Sequence, residues 1–222
     1  MEASFWLSRW EQNKTGFHEA EVHEDLLKYG ERWLSLASGG PKKDVLVPLC
    51  GKTKDLAHLA KLGHRVVGVE LSAKAAQAAF DEAKLPFTQE QQGPYQVFKA
   101  QDLDLEVRVG NFFKLPAKPS FDAVWDRAAM VALDPDRRAR YAEHLIQVLR
   151  PGGTLLVNVM DYPQAQMSGP PHAVSVVDLA GYYEKSFSIE TLYEEDQIDR
   201  EPKFRERGLD RFVVSTSLLR RV

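Results

Sequence analysis

The sequence predicts an α/β protein built on a mostly parallel sheet with helices on both faces. Three observations predict it. Short apolar runs alternate with helical patterns along most of the chain. The run 154–161, TLLVNVMD, is nearly continuous in apolar residues, as a strand covered on both faces has to be. The first apolar run ends in a glycine turn and the second in an acid, which is the rhythm of a nucleotide-binding unit.

Residues 4–36 read as helix in pieces, broken near NKTGFHE, where Asn13, Thr15 and Gly16 are turn-prone. Leu26, Leu27, Trp33 and Leu34 recur at roughly helical spacing, and ASGGPKK ends that segment. A first strand is predicted over 45–50, with Pro48 confined to its end. Leu56, Leu59, Ala60 and Leu62 mark a helix closed by Gly63. RVVGVE, 65–70, is the second strand. An alanine-rich helix follows, with Ser72 as its N-cap. The stretch 86–103 is polar and reads as an irregular surface crossing. The third strand and its exit occupy 105–113, and the fourth strand occupies 121–127. DPDRRARYAEHLIQVL is a helix with Tyr141, Leu145, Val148 and Leu149 as its apolar stripe and Arg138 and Arg140 on polar faces. RPGG stops it before the fifth strand. Another helix at 175–187, a sixth strand at 189–196 and a seventh at 211–222 complete the pattern.

The 222 residues suit one domain, 1–222, with residues 1–40 as a helical extension that covers the active site. A formal net charge of -3 is far from that of a basic nucleic-acid binder, so no nucleic-acid partner is expected. Cys50 is the single cysteine, which excludes an internal disulfide framework and a cysteine-rich metal site. MEASFWLSRWEQNK carries acids and arginine and no apolar core for a signal peptide, and no run approaches bilayer length. A cytoplasmic chain with no membrane partner is the expectation, and a monomer.

Ligands of an open α/β sheet bind beyond the carboxyl ends of its strands. The first such turn reads PLCGKTKD. Gly51 permits a sharp turn or a close approach to a ligand, and Thr53 and Asp55 can cap the next helix. GKT imitates a phosphate-binding loop, but Leu46 stands where the first glycine of that motif belongs. Glu70 ends the second strand, nineteen positions after Gly51, where a carboxylate can accept hydrogen bonds from two ribose hydroxyls. The alternative for Glu70 is a strand-end acid facing water. Without the G-x-G-x-x-G triplet there is less room for a pyrophosphate, so a ligand with ribose but no pyrophosphate fits better, and S-adenosylmethionine is such a ligand. Asn111 could bond an adenine edge and Phe112 cover its face, against the alternative that Phe112 or Phe113 is core. Arg127 could hold a ligand carboxylate in a two-pronged grip, against the alternative of a surface arginine paired to Asp126.

The stretches FWLSRWEQNKTGFHE, VLVPLCGKTKDLAHLAKLGHRVVGVELS, VGNFFKLP, VWDRAAMVALDPDRRARYAEHLIQVLRPGG and YPQAQMSGPPHAV together resemble the thiopurine S-methyltransferase family, bacterial type, along nearly the whole chain. The resemblance implies a Rossmann-like, seven-stranded sheet with a reversed last strand. It implies S-adenosyl-L-methionine as cofactor, with Trp10 packed against it from the N-terminal segment. Leu49 would offer a backbone contact, Glu70 the ribose contact, and Arg127 would lie by the methionine end and the substrate. Asn111 and Phe112 would occupy the adenine side. Phe17 resembles the aromatic that borders the acceptor pocket. His172 follows GPP where an aromatic often stands, in a loop that should border the same pocket.

Direct displacement at a sulfonium needs alignment and exclusion of water more than acid or base help. A thiol acceptor of low pKa is largely thiolate at neutral pH. No catalytic dyad is therefore expected. Cys50 reads as core, and His18 is open between acceptor contact and structure. The expected acceptor is an aromatic or heterocyclic thiol, with small thiols or reduced selenium or tellurium species as the alternative. A non-catalytic nucleotide-binding or interaction domain is the alternative of another class.

Overall fold

A computed structural model describes residues 3–16 and 18–222. Phe17 lies outside the described residues, and with it the acceptor-pocket role expected of it. Two helices come first, α1 (Ala3–Glu11) and α2 (Glu24–Leu36). The break between them falls where Asn13 and Gly16 predict it. Then follow β1 (Asp44–Pro48), α3 (Asp55–Lys61), β2 (Arg65–Glu70) and α4 (Ala73–Ala83). The Ser72 side chain accepts from the Ala75 N–H and caps α4, as expected. Gly63, at φ +93°, follows the end of α3.

The chain continues through β3 (Phe87–Gln92), β4 (Tyr95–Ala100) and β5 (Leu105–Val109). A short 3₁₀ turn, Phe112–Lys114, leads to β6 (Phe121–Arg127), α5 (Ala129–Ala132) and α6 (Pro135–Val148). The last elements are β7 (Leu149–Asp161), α7 (Val176–Tyr183), β8 (Phe187–Asp196), α8 (Pro202–Glu206) and β9 (Val213–Arg221).

Among the described residues the strands form one sheet of nine, in the order β3-β4-β5-β2-β1-β6-β7-β9-β8. The five strands β5, β2, β1, β6 and β7 are mutually parallel, and β9 runs antiparallel to both β7 and β8. The seven strands from β5 to β8 are the predicted set, with the reversed last strand of a Rossmann-like methyltransferase sheet. The other two correct the reading of 86–103 as irregular. β3 and β4 are an antiparallel hairpin added to the β5 edge, turning at Gly93 with φ +55°. β3, FTQEQQ, is an exposed edge, so nothing requires it to alternate polar with apolar residues, and its polarity discourages pairing with another chain.

Side-chain alternation divides the core between the two faces of the sheet. Val45, Val47, Val66 and Trp125 pack with Trp33 of α2, Leu56 of α3 and Phe80 of α4. Leu46, Val67, Val124 and Leu155 pack with Tyr141 of α6 and Leu179 and Tyr183 of α7. The large rings of Trp33, Trp125, Tyr141 and Tyr183 have no exposed surface, and burial of each stabilises the fold by about 1.5–3 kcal/mol or more. Arg138 departs from its expected polar face. It is buried, and its guanidinium donates to the Ala173 carbonyl at 2.9 Å. No described helix is long and apolar enough to cross a membrane.

Candidate active site

The carboxyl ends of β1, β2 and β6 open on one cleft of about 850 Å³, within the usual size of a small-molecule site. Its first wall is the turn after β1. Leu49 takes the left-handed backbone, φ +47°, and Gly51 does so again at φ +54°. For leucine that conformation is costly, on the order of 1–3 kcal/mol, and it persists only where neighbours hold it. Here the Cys50 N–H donates to the Val69 carbonyl at 3.1 Å, and the Gly51 N–H donates to Glu70 Oε2 at 2.8 Å. Gly51 is required twice over. A Cβ there would be strained by φ and would sit 3.1 Å from the Trp10 ring, which covers the turn from α1.

Glu70 is buried at the end of β2. Its Oε1 accepts from the Ser72 N–H at 2.8 Å while Oε2 takes Gly51. Burial pushes its pKa above the ordinary carboxylate value, and the amides of Ser72, Gly51 and Leu71 oppose that shift. Each oxygen retains acceptor capacity beyond its one amide. Two hydroxyls of a ribose therefore fit this carboxylate, and the left-handed turn beside it brings backbone close to any ligand in the cleft. The site suits S-adenosylmethionine on these grounds.

Arg127 ends β6 with its side chain 16% exposed, lines the cleft, and pairs with Glu19 from the segment between α1 and α2. Its expected alternative partner, Asp126, points the other way. Asp126 is fully buried and accepts from the Tyr141 hydroxyl at 2.9 Å and the amides of Ala129 and Met130. Burial pushes its pKa up to about 6. Ala128, next in the chain, also takes the left-handed backbone, φ +60°, and also lines the cleft. His18 lines it too, with Nε2 3.5 Å from Glu82 on α4, and burial lowers its pKa. Cys50 touches the same cleft but is buried. Its sulfur packs where Gly68 has no side chain, and burial pushes its thiol well up.

Three expected residues lie elsewhere. Phe112 is core, packed 5.2 Å from the Tyr141 ring, and does not line the cleft. Asn111 caps the 3₁₀ turn, its Oδ1 accepting from the Phe113 N–H at 2.9 Å. His172 is buried behind the Pro170–Pro171 edge of the cleft. Its ring packs on Gly169 and faces Asp134 at 3.4 Å. Asp55, expected as a cap, is buried and instead accepts from the His23 N–H at 2.9 Å and the Trp125 indole at 2.8 Å.

The remaining walls were not foreseen. His23 and Asp25 at the start of α2, Asn158 of β7, and the β8–β9 connection with Phe204 and Arg207 all face the cleft. These segments are far apart in the chain, and no local motif joins them. The one available signal was Asp25 beside Leu26, a charge next to a buried stripe.

The thiopurine S-methyltransferase family profile matches residues 1–222. The chain is 43% identical to a thiopurine S-methyltransferase of Pseudomonas fluorescens over 213 residues, 95% of each protein. It is 41% identical to one of Pseudomonas aeruginosa over 223 residues, all of each protein. Among solved structures it is similar to a Burkholderia thailandensis 1,6-didemethyltoxoflavin N1-methyltransferase with bound 1,6-didemethyltoxoflavin and S-adenosylhomocysteine, at TM-score 0.65 and 17% identity, covering 99% of this chain and 87% of that one. It is also similar to a TehB-like methyltransferase from Corynebacterium glutamicum, at TM-score 0.56 and 14% identity, covering 99% and 98%. At that identity the likeness is one of fold. A full-length family match and relatives above 40% identity settle membership, and the chain belongs to the thiopurine S-methyltransferase family.

Proposed function

We propose that the protein transfers the methyl group of S-adenosylmethionine to the sulfur of a small aromatic or heterocyclic thiol in this cleft. The observation that carries the reading is Glu70, a buried carboxylate tied to the left-handed turn at Gly51, which the Trp10 ring covers. S-adenosylmethionine supplies a methyl carbon already activated on a sulfonium. Glu70 holds the ribose hydroxyls, Leu49 offers its main chain, and Trp10 closes the cofactor side. Arg127 bonds the cofactor carboxylate or an anionic acceptor once Glu19 releases it. Helix α1 and the residues from His18 to His23 form a cover that excludes water from the displacement. His172 supports no polar acceptor pocket, because its ring lies behind the cleft wall.

The test is a product-resolved methylation panel of 6-mercaptopurine, thiophenol, a phenol of matching shape, hydrosulfide, selenite and tellurite under reducing conditions. Mass spectrometry locates each new methyl. The reading expects S-methylation of the aromatic thiols to lead the panel. Preference for the phenol over thiophenol overturns it.

A further inference from the structure

Among the described residues three buried carboxylates line the cleft, and they differ in how their oxygens are used. Glu70 gives one oxygen to each of two amides. Asp55 gives one oxygen to the His23 N–H and the other to the Trp125 indole. Asp25 is different. Asn158 Nδ2 donates to its Oδ2 at 3.1 Å, and the Thr216 hydroxyl donates to that same oxygen. No hydrogen bond from the described residues reaches Oδ1. Asn158 and Thr216 are themselves buried, so they fix the carboxylate rigidly. A carboxylate 6% exposed, with one oxygen anchored and the other left open to the cleft, presents a fixed acceptor to a donor that enters. The Asp25 N–H is engaged with His23 Nδ1 at 3.2 Å, so the main chain there offers no competing donor.

Resting on the function proposed above, we infer that Asp25 is a catalytic and specificity-determining residue that accepts a hydrogen bond from a ring N–H of the acceptor. The substrate class is the heteroaromatic thiones, in which the thiol proton resides on a ring nitrogen next to the thiocarbonyl. Asp25 on that nitrogen orients the ring. As the S–CH₃ bond forms, the methyl–sulfonium bond breaks and its electron pair stays on the departing sulfur. The methylated ring is then cationic and its N–H acidic. The N–H bond breaks, its pair returns to the ring, and the proton passes to Asp25 and leaves to solvent with the product. Asp25 thus removes a proton that a thiolate acceptor does not carry. Selectivity follows, because a site built to bond an N–H leaves a buried acceptor unmet by an analogue that lacks it.

The test compares 2-mercaptopyridine, a thione bearing a ring N–H, with thiophenol, a ring of the same shape without one. Asp25→Asn keeps the anchors at Asn158 and Thr216 but weakens or inverts the free position. We expect kcat/KM for 2-mercaptopyridine to fall at least about tenfold, thiophenol to stay within about twofold, and S-adenosylhomocysteine affinity to hold. Equal losses on both acceptors, or none on either, overturn the inference while leaving the thiol methyltransferase reading intact. Failure of the wild type on both acceptors overturns that reading and this one together. If the variant does not fold, the wild type alone decides. It should turn over 1-methyl-2-thiopyridone, which has no N–H, at least about tenfold more slowly than 2-mercaptopyridine, and equal rates overturn the inference.

Discussion

The strands β2 and β6 both run toward the cleft, and each carries a buried carboxylate at its end whose pKa burial has raised. Glu70 and Asp126 nevertheless serve opposite ends. Glu70 is met by loop amides on the cleft side and lines the cleft. Asp126 is sealed on the far side by Tyr141 and the first amides of α5, and its neighbour Arg127 takes the cleft. One step of strand alternation decides which residue meets solvent and ligand. An acid at a strand end can thus face the cleft or be sealed behind it, and both of these clamp a loop through its amides.

The largest effect should come from breaking the clamp. Asp126→Ala leaves the Tyr141 hydroxyl and two amides without their acceptor. Each such group costs about 1–3 kcal/mol when buried, so stability should fall by about 3 kcal/mol or more in a denaturant titration. Cofactor affinity of the folded fraction should change less than about threefold. Glu70→Ala also leaves two amides, those of Gly51 and Ser72, without their acceptor and costs stability, but unlike Asp126→Ala it should cost binding as well. Loss of charge-assisted ribose bonds, each worth about 1.5–3 kcal/mol, should weaken S-adenosylhomocysteine binding about tenfold or more by calorimetry, with native circular dichroism. An unchanged dissociation constant would make Glu70 a second clamp and dissolve the contrast.

The pH dependence sharpens it. In the window between the ordinary aspartate value of 3.8 and about 6, the folded protein keeps the Asp126 proton and the unfolded chain has lost it. Its contribution to stability is therefore present in acid and lost as pH rises through about 6. Asp126→Asn should remove a slope of up to about 1.4 kcal/mol per pH unit across that window, measured as the difference between wild type and variant. The smallest effect concerns Arg127. Its pair with Glu19 is half exposed on the acid's side and worth at most about 1 kcal/mol. Glu19→Gln should tighten cofactor binding up to about fivefold, and weaker binding would show that Glu19 helps to hold the ligand.

The meeting of Gly51, Glu70 and Arg127 at one cleft was legible because its physics is local. Gly51, Glu70 and Arg127 sit at ends of strands whose apolar runs announce them, and a strand end is where an open sheet binds. The adenine-side reading of Phe112 fared differently. Sequence places it after a strand, but only packing on Tyr141 and His144 decides that its ring is core. Asp25 was passed over for a related reason. What distinguishes it is contact with Asn158 and Thr216, more than a hundred residues away, and no spacing rule reports such a meeting. Strand β3 stayed hidden because an edge strand need not alternate.

The reversed last strand has an evolutionary consequence. Because β9 runs against β7 and β8, the chain leaves β8 at Asp196 and enters β9 at Val213 on the same rim of the sheet, the rim that holds the cleft. A parallel final strand would have needed a crossover to the opposite rim. The segment between them, which carries α8 and Phe204, can be lengthened or exchanged without altering one register pair of the sheet. Doubling such a loop costs only about 0.6 kcal/mol of closure entropy. The wall that this one connection gives the cleft can therefore change while the sheet beneath it stays as it is.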